Sequence, residues 1–382
     1  SHFFRDRYDA LMKQLPNITS GITINRVEVW VTNKTGQTND TRNIAAFTDL
    51  GEHDRISSPL WVPGADTNPS NQSNDLYTSL VNTLPGARAI STVTPTLDGV
   101  GLVGGSDYEK LESARRLSSS EYVLNSALGF ISLKQTLQTD QVLAIAYEYT
   151  YKGVTYQVGE FSTDRKDNTE VLFVKALKNT ACVPGMGNWD LMMKNVYALG
   201  ATQVQKDKFR LDVKFLSDTT GVYLSYIPEP AVKDKKIIQL LGADRLDNQN
   251  KLGANGYFDY VEGYTVLSQS GRVFFPVVEP FGKGLAQALG SEELAKKYAF
   301  QELYDSTRTV ARQVAEKNKF MLTGEYKASR NDEIQLGAMN IPRGSVVVTA
   351  GGQTLVEGVD YTVDYNAGIV RILNQSILDA GT

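Results

Sequence analysis

Residue types that most often carry out chemistry are scarce in this sequence, which has two histidines and one cysteine among 382 residues. His53 lies in the string GEHDRI, which lacks the second histidine of a helical zinc motif. No G-x-S-x-G string precedes a helix to supply a nucleophilic serine for His2 or His53. Cys182 stands alone, which excludes an intrachain disulfide and a cysteine-based zinc site, and we interpret it as a packed side chain. We therefore predict no catalytic residues and no enzymatic activity.

Side chains with oxygen atoms are concentrated between residues 244 and 259, where calcium binding has to be considered. Calcium takes about six to eight oxygen ligands, which a run of this kind can supply. The spacing departs from an EF-hand loop, because Leu246 and Gln249 stand where ligands are needed. We interpret the run as a turn-rich loop held by its own side chains, with calcium as the alternative. Its members are Asp244, Asp247, Asn248, Asn250, Asn255 and Asp259.

Other patterns that carry chemistry are incomplete. The strings GGS at 104–106 and GKG at 282–284 lack the spacing of a phosphate-binding loop, so we predict neither a cofactor nor a metal site. A carboxylate pair for sugar hydrolysis stays open, because Asp and Glu number 43 and their separation in space is not readable from sequence. Such an enzyme would need a convergent arrangement that no motif marks.

A tyrosine-rich hairpin is a candidate aromatic contact face or an outer-membrane hairpin, since aromatic rings are typical of both. We favour an ordinary sheet, because Glu148 and Lys152 would interrupt one face. The tyrosines are Tyr147, Tyr149, Tyr151 and Tyr156.

The composition is typical of an exported globular protein. Hydrophobic residues make up 41% and charged residues 21%. The formal net charge of −4 argues against nucleic acid as a partner, because phosphate binding needs a basic face. No run approaches ~18 apolar residues, and residues 1–15 lack the apolar centre of a signal peptide. Both ends look like cuts within a longer chain, so we expect a soluble, extracytoplasmic segment.

Periodicity and turn residues predict the elements that must position these side chains. Residues 22–32 alternate as a strand does, whereas 3–15 and 189–199 have helical spacing. Residues 51–104 are rich in Pro, Gly, Asn, Ser and Thr, which is typical of a long surface loop. Ser291 is a predicted N-cap for a helical stretch that ends near residue 316 and breaks near residues 305–306. Hairpins are predicted at 121–133, 142–161 and 209–227, and β-structure returns from residue 344.

Together these elements predict a β-dominated α+β fold of several antiparallel hairpins and sandwich-like subdomains, with a few short helices. We expect three parts. Residues 1–110 hold a helix, a strand and a long polar loop, and residues 111–290 form a β-rich domain with a helix at 189–199. Residues 291–382 form a helical stretch followed by a C-terminal β unit.

One spacing occurs three times: an aromatic residue, then a glycine at +7 and apolar residues at +9 and +11. Such a segment is typical of a hairpin whose glycine takes a positive φ. Asn125 and Asp364 open the turn in the first and last copies. The copies are Tyr122, Gly129, Ile131 and Leu133; Tyr264, Gly271, Val273 and Phe275; and Tyr361, Gly368, Val370 and Ile372.

Six long strings carry a family resemblance that covers most of the chain. They are RVEVWVTNKTG (26–36), WDLMMKNVYALGA (189–201), ADRLDNQN (243–250), GRVFFPVVEPFG (271–282), FQELYDST (300–307) and NIPRGSVVVTAGGQTLVEGVDYTVDYNAGIVRILN (340–374). In these strings the chain resembles the SprA (Sov) family, the outer-membrane translocons of the Bacteroidetes type IX secretion system. The family offers no catalytic residues to transfer. Residues in or near the strings that we expect to set the backbone or anchor the core are Gly271, Pro276, Pro280, Gly282, Trp30, Trp189 and Phe281.

The resemblance implies a non-enzymatic structural and interaction segment of a giant protein-export channel that serves type IX secretion and gliding motility. Expected partners are other parts of the same translocon chain, a PorV-like barrel, plug proteins and exported cargo proteins, with no nucleic acid. We expect an outer-membrane-associated segment in the extracellular cap rather than the periplasm, because polar loops suit exposed positions. The alternatives are a cell-surface adhesin or carbohydrate-binding module, and a hydrolase of surface polymers.

Overall fold

A computed structural model describes residues 1–328, 333–374 and 376–377 of the chain. Strands predominate and the helices are short, which confirms the β-dominated α+β prediction. The helices are α1 Arg5–Met12, α2 Leu76–Thr83, α3 Val93–Gly99, α4 Ile237–Leu240, α5 Leu285–Leu289, α6 Glu292–Tyr298, α7 Glu302–Asp305 and α8 Arg308–Gln313. The strands are β1 Ile22–Val31, β2 Thr41–Phe47, β3 Tyr108–Arg116, β4 Tyr122–Asn125, β5 Phe130–Leu133, β6 Leu143–Tyr151, β7 Val154–Val158, β8 Leu172–Lys178, β9 Val196–Ala198, β10 Val204–Leu216, β11 Tyr223–Leu224, β12 Val266–Leu267, β13 Arg272–Phe274, β14 Phe320–Ala328, β15 Glu333–Gln335, β16 Thr349–Ala350, β17 Gln353–Thr354, β18 Tyr361–Asp364 and β19 Ile369–Ile372.

The chain forms two compact units. Unit 1 comprises Ser1–Lys194 and Gln301–Val314, and unit 2 comprises Asn195–Phe300 and Ala315–Thr382. These limits differ from the division at 110/111 and 290/291 expected from the sequence, and β3 runs across the first of those positions. None of the helices in the described part of the chain combines the length and the apolar character needed to cross a membrane.

Unit 1 is built on a sheet that closes on itself. β1 pairs with β3 and β6, β3 with β2, β2 with β8, and β8 with β6, so five strands form a ring. β7 pairs with the rest of the β6 edge. All of these pairings are antiparallel except that of β2 with β8. The predicted hairpins at 121–133 and 142–161 are confirmed as β4–β5 and β6–β7.

The inside of the ring is filled by two large aromatic residues, aliphatic residues and several alanines. Trp30 and Phe161 are the large residues of this inner cluster, each 1% exposed. Strand side chains alternate between the two faces, so every second residue of each strand points inward. A five-stranded sheet that closes on itself encloses little volume, and five alanines accordingly share the cluster with one isoleucine, two leucines and two valines. The alanines of the inner cluster are Ala46, Ala114, Ala144, Ala146 and Ala176.

Of residues 51–104, predicted as a long surface loop, residues 51–75 form no helix or strand, whereas residues 76–99 contain α2, a 3₁₀ turn and α3 over the outer face of the ring. The two helices were missed because the loop prediction relied on the polar residues of the segment and overlooked two apolar pairs at i, i+4 spacing. Leu76 and Leu80 of α2, like Val93 and Leu97 of α3, are at most 1% exposed in the outer core. Pairs at this spacing share one helix face.

The tyrosine-rich hairpin contributes two of its four tyrosines to the same outer core, and the other two, Tyr151 and Tyr156, are half-buried. Tyr147 and Tyr149 are 2% and 0% exposed, and they pack against Phe3 and Phe4 with ring centres 4.5 and 4.8 Å apart. The Tyr149 hydroxyl donates to a backbone carbonyl 2.8 Å away. The preferred reading as an ordinary sheet is confirmed, because both rings face the helices that cover the ring.

Unit 2 contains several small sheets. β10 pairs with β11 and β14, and the β10–β11 pairing confirms the hairpin predicted at 209–227. The helix predicted at 189–199 is wrong: only Trp189–Leu191 forms a 3₁₀ turn, and Val196–Ala198 is β9, paired with β13. The helical spacing there was weak, and strand pairing outweighs propensity over so short a segment. Asn195 stabilises this arrangement by donating from its side chain to the Phe275 carbonyl, 2.8 Å away.

The predicted helical stretch from Ser291 divides into α6, α7 and α8. The Ser291 side chain accepts from the Leu294 N–H as an N-cap, and Ser306 ends α7, so the predicted start and break are confirmed. A further break at residues 299–301 was not predicted. The C-terminal tail contains the short hairpin β16–β17 around Gly351 and Gly352 and the sheet β15–β19–β18.

The repeated glycines occupy positions that other residues would not tolerate. Gly129, Gly271 and Gly368 have φ of 66°, 57° and 68°, which confirms the predicted positive φ. A Cβ on Gly129 would lie 1.9 Å from a ring atom of Phe4, and one on either other glycine would lie 1.7 Å from a backbone oxygen. Each turn therefore requires glycine for both conformation and space.

A second repeat, which the sequence spacing did not reveal, leads into β3, β12 and β18. The segments are residues 103–108 (VGGSDY), 261–266 (VEGYTV) and 356–361 (VEGVDY), and we call each one an entry turn. In each, the first N–H donates to the side chain of the fifth residue at 2.8–2.9 Å. The fifth N–H donates back to the first carbonyl, and the third-position glycine has φ between 81° and 84°.

The entry turns correct the alignment of the middle hairpin. Val266, and not Tyr264, is equivalent to Tyr361, because each begins the strand that follows the turn. Gly271 stands five residues after Val266, whereas Gly368 stands seven residues after Tyr361. The middle hairpin is therefore two residues shorter than the last one.

Candidate functional site

Both histidines lie apart from any nucleophile. His2 is 1% exposed, and its Nε2 lies 3.0 Å from the Asp190 carbonyl oxygen. Burial lowers the pKa of His2 well below its usual value. His53 Nδ1 lies 2.6 Å from an Asp54 carboxylate oxygen. Within the described residues neither ring bonds to a serine, threonine or cysteine side chain, so the structure does not assemble a nucleophile with its base.

The isolated residues considered from sequence have packing roles. Cys182 is half-buried, and burial raises the pKa of its thiol, which disfavours the reactive thiolate. Trp30 and Phe281 are core residues, as expected, at 1% and 3% exposure. Trp189, expected to anchor the core, is only half-buried, and its indole N–H donates to the Tyr304 carbonyl at 2.7 Å.

A group of buried charges in unit 1 surrounds Glu160, which is 4% exposed and lies two residues after β7. Arg88 donates two hydrogen bonds to its oxygens, each 2.6 Å long, and Arg165 donates another at 2.9 Å. The Tyr77 hydroxyl and the Phe173 N–H also donate, both at 2.9 Å. These five bonds occupy the carboxylate, so it cannot serve a substrate without losing structural contacts.

The electrostatics of this group follow from its partners. Burial alone would raise the pKa of Glu160, but Arg88, the Phe173 N–H and Arg165 together hold that pKa below its usual value. Burial and the adjacent Glu160 charge raise the pKa of Tyr77 to about 12. Glu160 is therefore ionised and Tyr77 protonated at neutral pH, which suits a fixed ion pair better than proton transfer.

A second buried ion pair borders a small cavity in unit 1. Lys175, on the outer face of β8, is 3% exposed and donates to the Thr48 carbonyl at 2.5 Å and to Glu52 at 2.6 Å. The adjoining cavity measures about 100 Å³. Ligand sites commonly have volumes of about 300–1,000 Å³, so this space suits water or a small ion at most.

In unit 2, the oxygen-rich run forms a loop held by its own aspartates. Each of the three aspartates accepts two backbone hydrogen bonds of 2.8–2.9 Å, which confirms the interpretation as a self-held loop. Over residues 1–328, 333–374 and 376–377, no group of three or more His, Cys, Asp or Glu side chains is arranged to hold a metal ion. The pairs are Asp244 with the N–H groups of Asn255 and Gly256, Asp247 with those of Gln249 and Lys251, and Asp259 with those of Arg245 and Leu246.

Asp259 has the most unusual acidity in this loop. Burial raises its pKa to about 6, the nearby Asp244 charge adds to the increase, and the N–H groups of Arg245 and Leu246 oppose it. A carboxyl that titrates near pH 6 is a typical candidate for a general acid. Both of its oxygens accept backbone bonds, however, so we assign it to the stability of the loop.

A groove of about 520 Å³ lies beside this loop. One wall is a bulge in β10, where the pairing with β14 shifts between Gln205 and Arg210 and Lys208 takes a φ of 56°. The other wall is the loop at 246–260. We call this feature the bulge–loop groove. Sequence reasoning identified the loop wall and missed the bulge, which would have required the register of two strands more than 100 residues apart in sequence.

Sequence reasoning also missed Glu160 and Lys175. Their partners lie far away along the chain, as Arg88 is 72 residues from Glu160 and Glu52 is 123 residues from Lys175. The available signal was the charge of Lys175 within the apolar strand LFVKALK, because such a position in a buried strand requires a partner.

Comparison with known proteins does not extend this picture. No protein-family model matches the chain, and no curated protein is similar to it in sequence. The fold and sites define a two-unit, β-dominated chain whose principal buried charged groups have structural partners.

Proposed function

We propose that the chain is a non-enzymatic structural and interaction segment of a large outer-membrane protein-export channel of the type IX kind. The observation that carries this proposal is the set of long strings that resemble the SprA family. Several of them form well-packed parts of the fold, as in GRVFFPVVEPFG, where Gly271 packs on a backbone oxygen and Phe275 and Phe281 are buried. Buried charges held in fixed pairs, such as Glu160 with Arg88, also suit a scaffold.

In this proposal the segment lies in the extracellular cap and contacts other parts of the translocon, a PorV-like barrel, plug proteins and cargo. Residues 64–74 suit an epitope tag poorly, because Gly64 bonds to Ser73 and Asn74 is buried. The exposed turn at Lys152 and Gly153 is better, since turns of this kind tolerate insertion. A tag there should be cleaved by protease on intact cells. Protection on intact cells with cleavage in lysed cells would place the segment in the periplasm.

The export role is tested in a type IX-secreting bacterium that encodes this chain. Loss of the encoded protein should stop delivery of type IX cargo to the surface, and E160Q should reduce it because unit 1 is weakened. The matched control is E148Q, which alters a partly exposed pair with Arg26. Wild-type amounts of surface cargo in the absence of the protein would refute the export role.

A further inference from the structure

The bulge–loop groove has the volume of a ligand site and a mainly polar lining that includes aromatic rings. Its volume of about 520 Å³ lies within the common range of about 300–1,000 Å³. It lies entirely within unit 2, and aromatic rings are interleaved with polar side chains along its walls. Phe209 and Tyr260 meet edge to face at 5.1 Å, so the aromatic part of the lining is fixed by packing.

The charges along the groove cancel. Three cations come from the β10 bulge, and three carboxylates come from the bulge and the loop. Equal numbers of opposite charges leave the lining with no net charge, so it has no overall preference for an ion of either sign. A neutral polar ligand suits this lining better than a phosphate or a metal ion. The six residues are Lys206, Lys208, Arg210, Asp207, Asp247 and Asp259.

Several polar groups in the groove are available to a ligand. Tyr257 is 36% exposed, and within the described part of the chain its hydroxyl has no hydrogen-bond partner. The same holds for the Lys208 ammonium and for the amide nitrogen of Asn248, whose oxygen accepts from Asn255 at 2.9 Å. An amide, a hydroxyl and an ammonium together offer both donors and acceptors, as vicinal hydroxyl groups require.

The groove is also preorganised. Asp244, Asp247 and Asp259 hold the loop backbone, and the cations of Arg210 and Lys236 lie 5.3 and 5.2 Å from the centre of the Tyr257 ring. A site that is already ordered loses less conformational entropy on binding.

We propose that the bulge–loop groove binds a short neutral oligosaccharide. A sugar ring has an apolar C–H face, which packs against the part of the Tyr257 ring that Arg210 and Lys236 leave exposed, and a rim of hydroxyl groups, which bond to Asn248 and Lys208. The lining supports recognition without hydrolysis, because both Asp259 oxygens already accept backbone bonds. This inference stands independently of the proposed role in export.

The test is calorimetric titration of the whole chain with maltohexaose, cellohexaose, laminarihexaose and chitohexaose, each up to about 10 mM, a range that detects millimolar affinity. At least one should bind, and Y257A should weaken that binding at least about tenfold through loss of the aromatic contact. The control Y223A removes a tyrosine of similar exposure on β11, outside the groove, and should leave binding unchanged.

Circular dichroism establishes that both variants are folded, and N248A provides a second loss of affinity that does not depend on an aromatic residue. Binding of none of the four sugars, or equal affinity of Y257A and the wild type, would overturn the proposal. Displacement of the bound sugar by inorganic phosphate or by calcium would overturn it as well, since it would identify an ion site.

Discussion

At Glu160, one carboxylate accepts hydrogen bonds from two arginines, a tyrosine and a backbone N–H inside unit 1. Taking charges out of water is costly, and the cost is offset only when every partner is in place. Removing this carboxylate leaves Arg88, whose side chain is 16% exposed, without its counter-charge. We therefore assign the consequence of its removal to stability.

We expect E160Q to lower the free energy of unfolding of unit 1 by about 3 kcal/mol, the usual cost of breaking a buried pair. E148Q should cost less than about 1 kcal/mol, since its pair with Arg26 is partly exposed. Urea unfolding followed by tryptophan fluorescence measures both, because Trp30, Trp61 and Trp189 all lie in unit 1. Equal losses in the two variants would contradict the assigned role of Glu160.

The repeated glycines allow a matched steric comparison. G129A and G153A both place alanine at a positive φ, 66° and 79°, which costs about 1 kcal/mol. Only G129A also drives a Cβ into the buried ring of Phe4, because Gly153 has open space around it. G129A should therefore lose several kcal/mol more than G153A in the same fluorescence assay. Similar stability of the two variants would mean that the Phe4 ring moves aside at little cost.

Single residues were predictable where their conformation is set locally. Gly129, Gly271 and Gly368 could be assigned a positive φ because turn chemistry depends on near neighbours. The partners of Glu160 and Lys175 could not be predicted, since they depend on which strands meet in space. The loop wall of the bulge–loop groove was identified from its oxygen-rich run, but the β10 wall could not be, because its bulge depends on the register with β14.

At the scale of elements, the entry turn fixes where a strand begins. Its fifth side chain satisfies the N–H of its first residue, as an N-cap does for a helix. The middle copy uses Thr265 where the others use Asp107 and Asp360, so the required feature is an oxygen acceptor and not a negative charge.

We expect D107A to destabilise unit 1 by about 1 kcal/mol, because the Val103 N–H loses its acceptor. D107N and D107T keep an acceptor at this position and should recover most of that loss. The comparison is made by urea unfolding with tryptophan fluorescence. If D107N and D107T were as unstable as D107A, the carboxylate charge and not the hydrogen bond would stabilise the turn.

Elements with strong local patterns were predicted and those with weak patterns were not. Alternation marked β1, and turn residues marked β4–β5 and β6–β7. The helix expected at 189–199 depended on three apolar residues, and pairing of β9 with β13 prevailed. Helices α2 and α3 were not predicted, because the polar composition of the segment was given more weight than its apolar pairs at i, i+4 spacing.

At the scale of the whole molecule, the two units should respond to acid in opposite directions. The folded-state pKa of Glu160 is below its usual 4.5, so its stabilisation is present above that value and is lost as the pH falls through the folded pKa. The folded-state pKa of Asp259 is raised from 3.8 to about 6, so folded unit 2 binds the extra proton. Its contribution to stability is therefore favourable near pH 4 and declines as the pH rises through 6.

Each contribution is isolated by a variant that removes one titrating group. As the pH drops below 4.5, the stability of wild-type unit 1 relative to that of the E160Q variant should decrease. As the pH rises from 4 to about 6, the stability of wild-type unit 2 relative to that of the D259N variant should decrease. Hydrogen exchange of peptides from each unit, corrected for intrinsic rates, measures both. A difference between wild type and D259N that does not change with pH would contradict the raised pKa.

The fold class was predictable from composition and alternation, whereas closure of the ring was not. Closure depends on β6 pairing with β1 on one edge and with β8 and β7 on the other. Nothing local to β6 distinguishes a strand with three partners from one with two. The alanines inside the ring are the sequence feature that accompanies closure of the sheet, and they can be recognised as such only once the strands are aligned.

The entry turns also bear on the order of events during folding. Each turn closes within six residues, so it forms with little loss of chain entropy and without waiting for distant strands. As the chain grows, a turn of this kind can set the start of β3 before β8 has been synthesised, and the later strand then adds to a template. We expect D107A to slow folding of unit 1 and to leave its unfolding rate nearly unchanged, which stopped-flow fluorescence measures. A faster unfolding rate with unchanged folding would instead mean that the turn closes last.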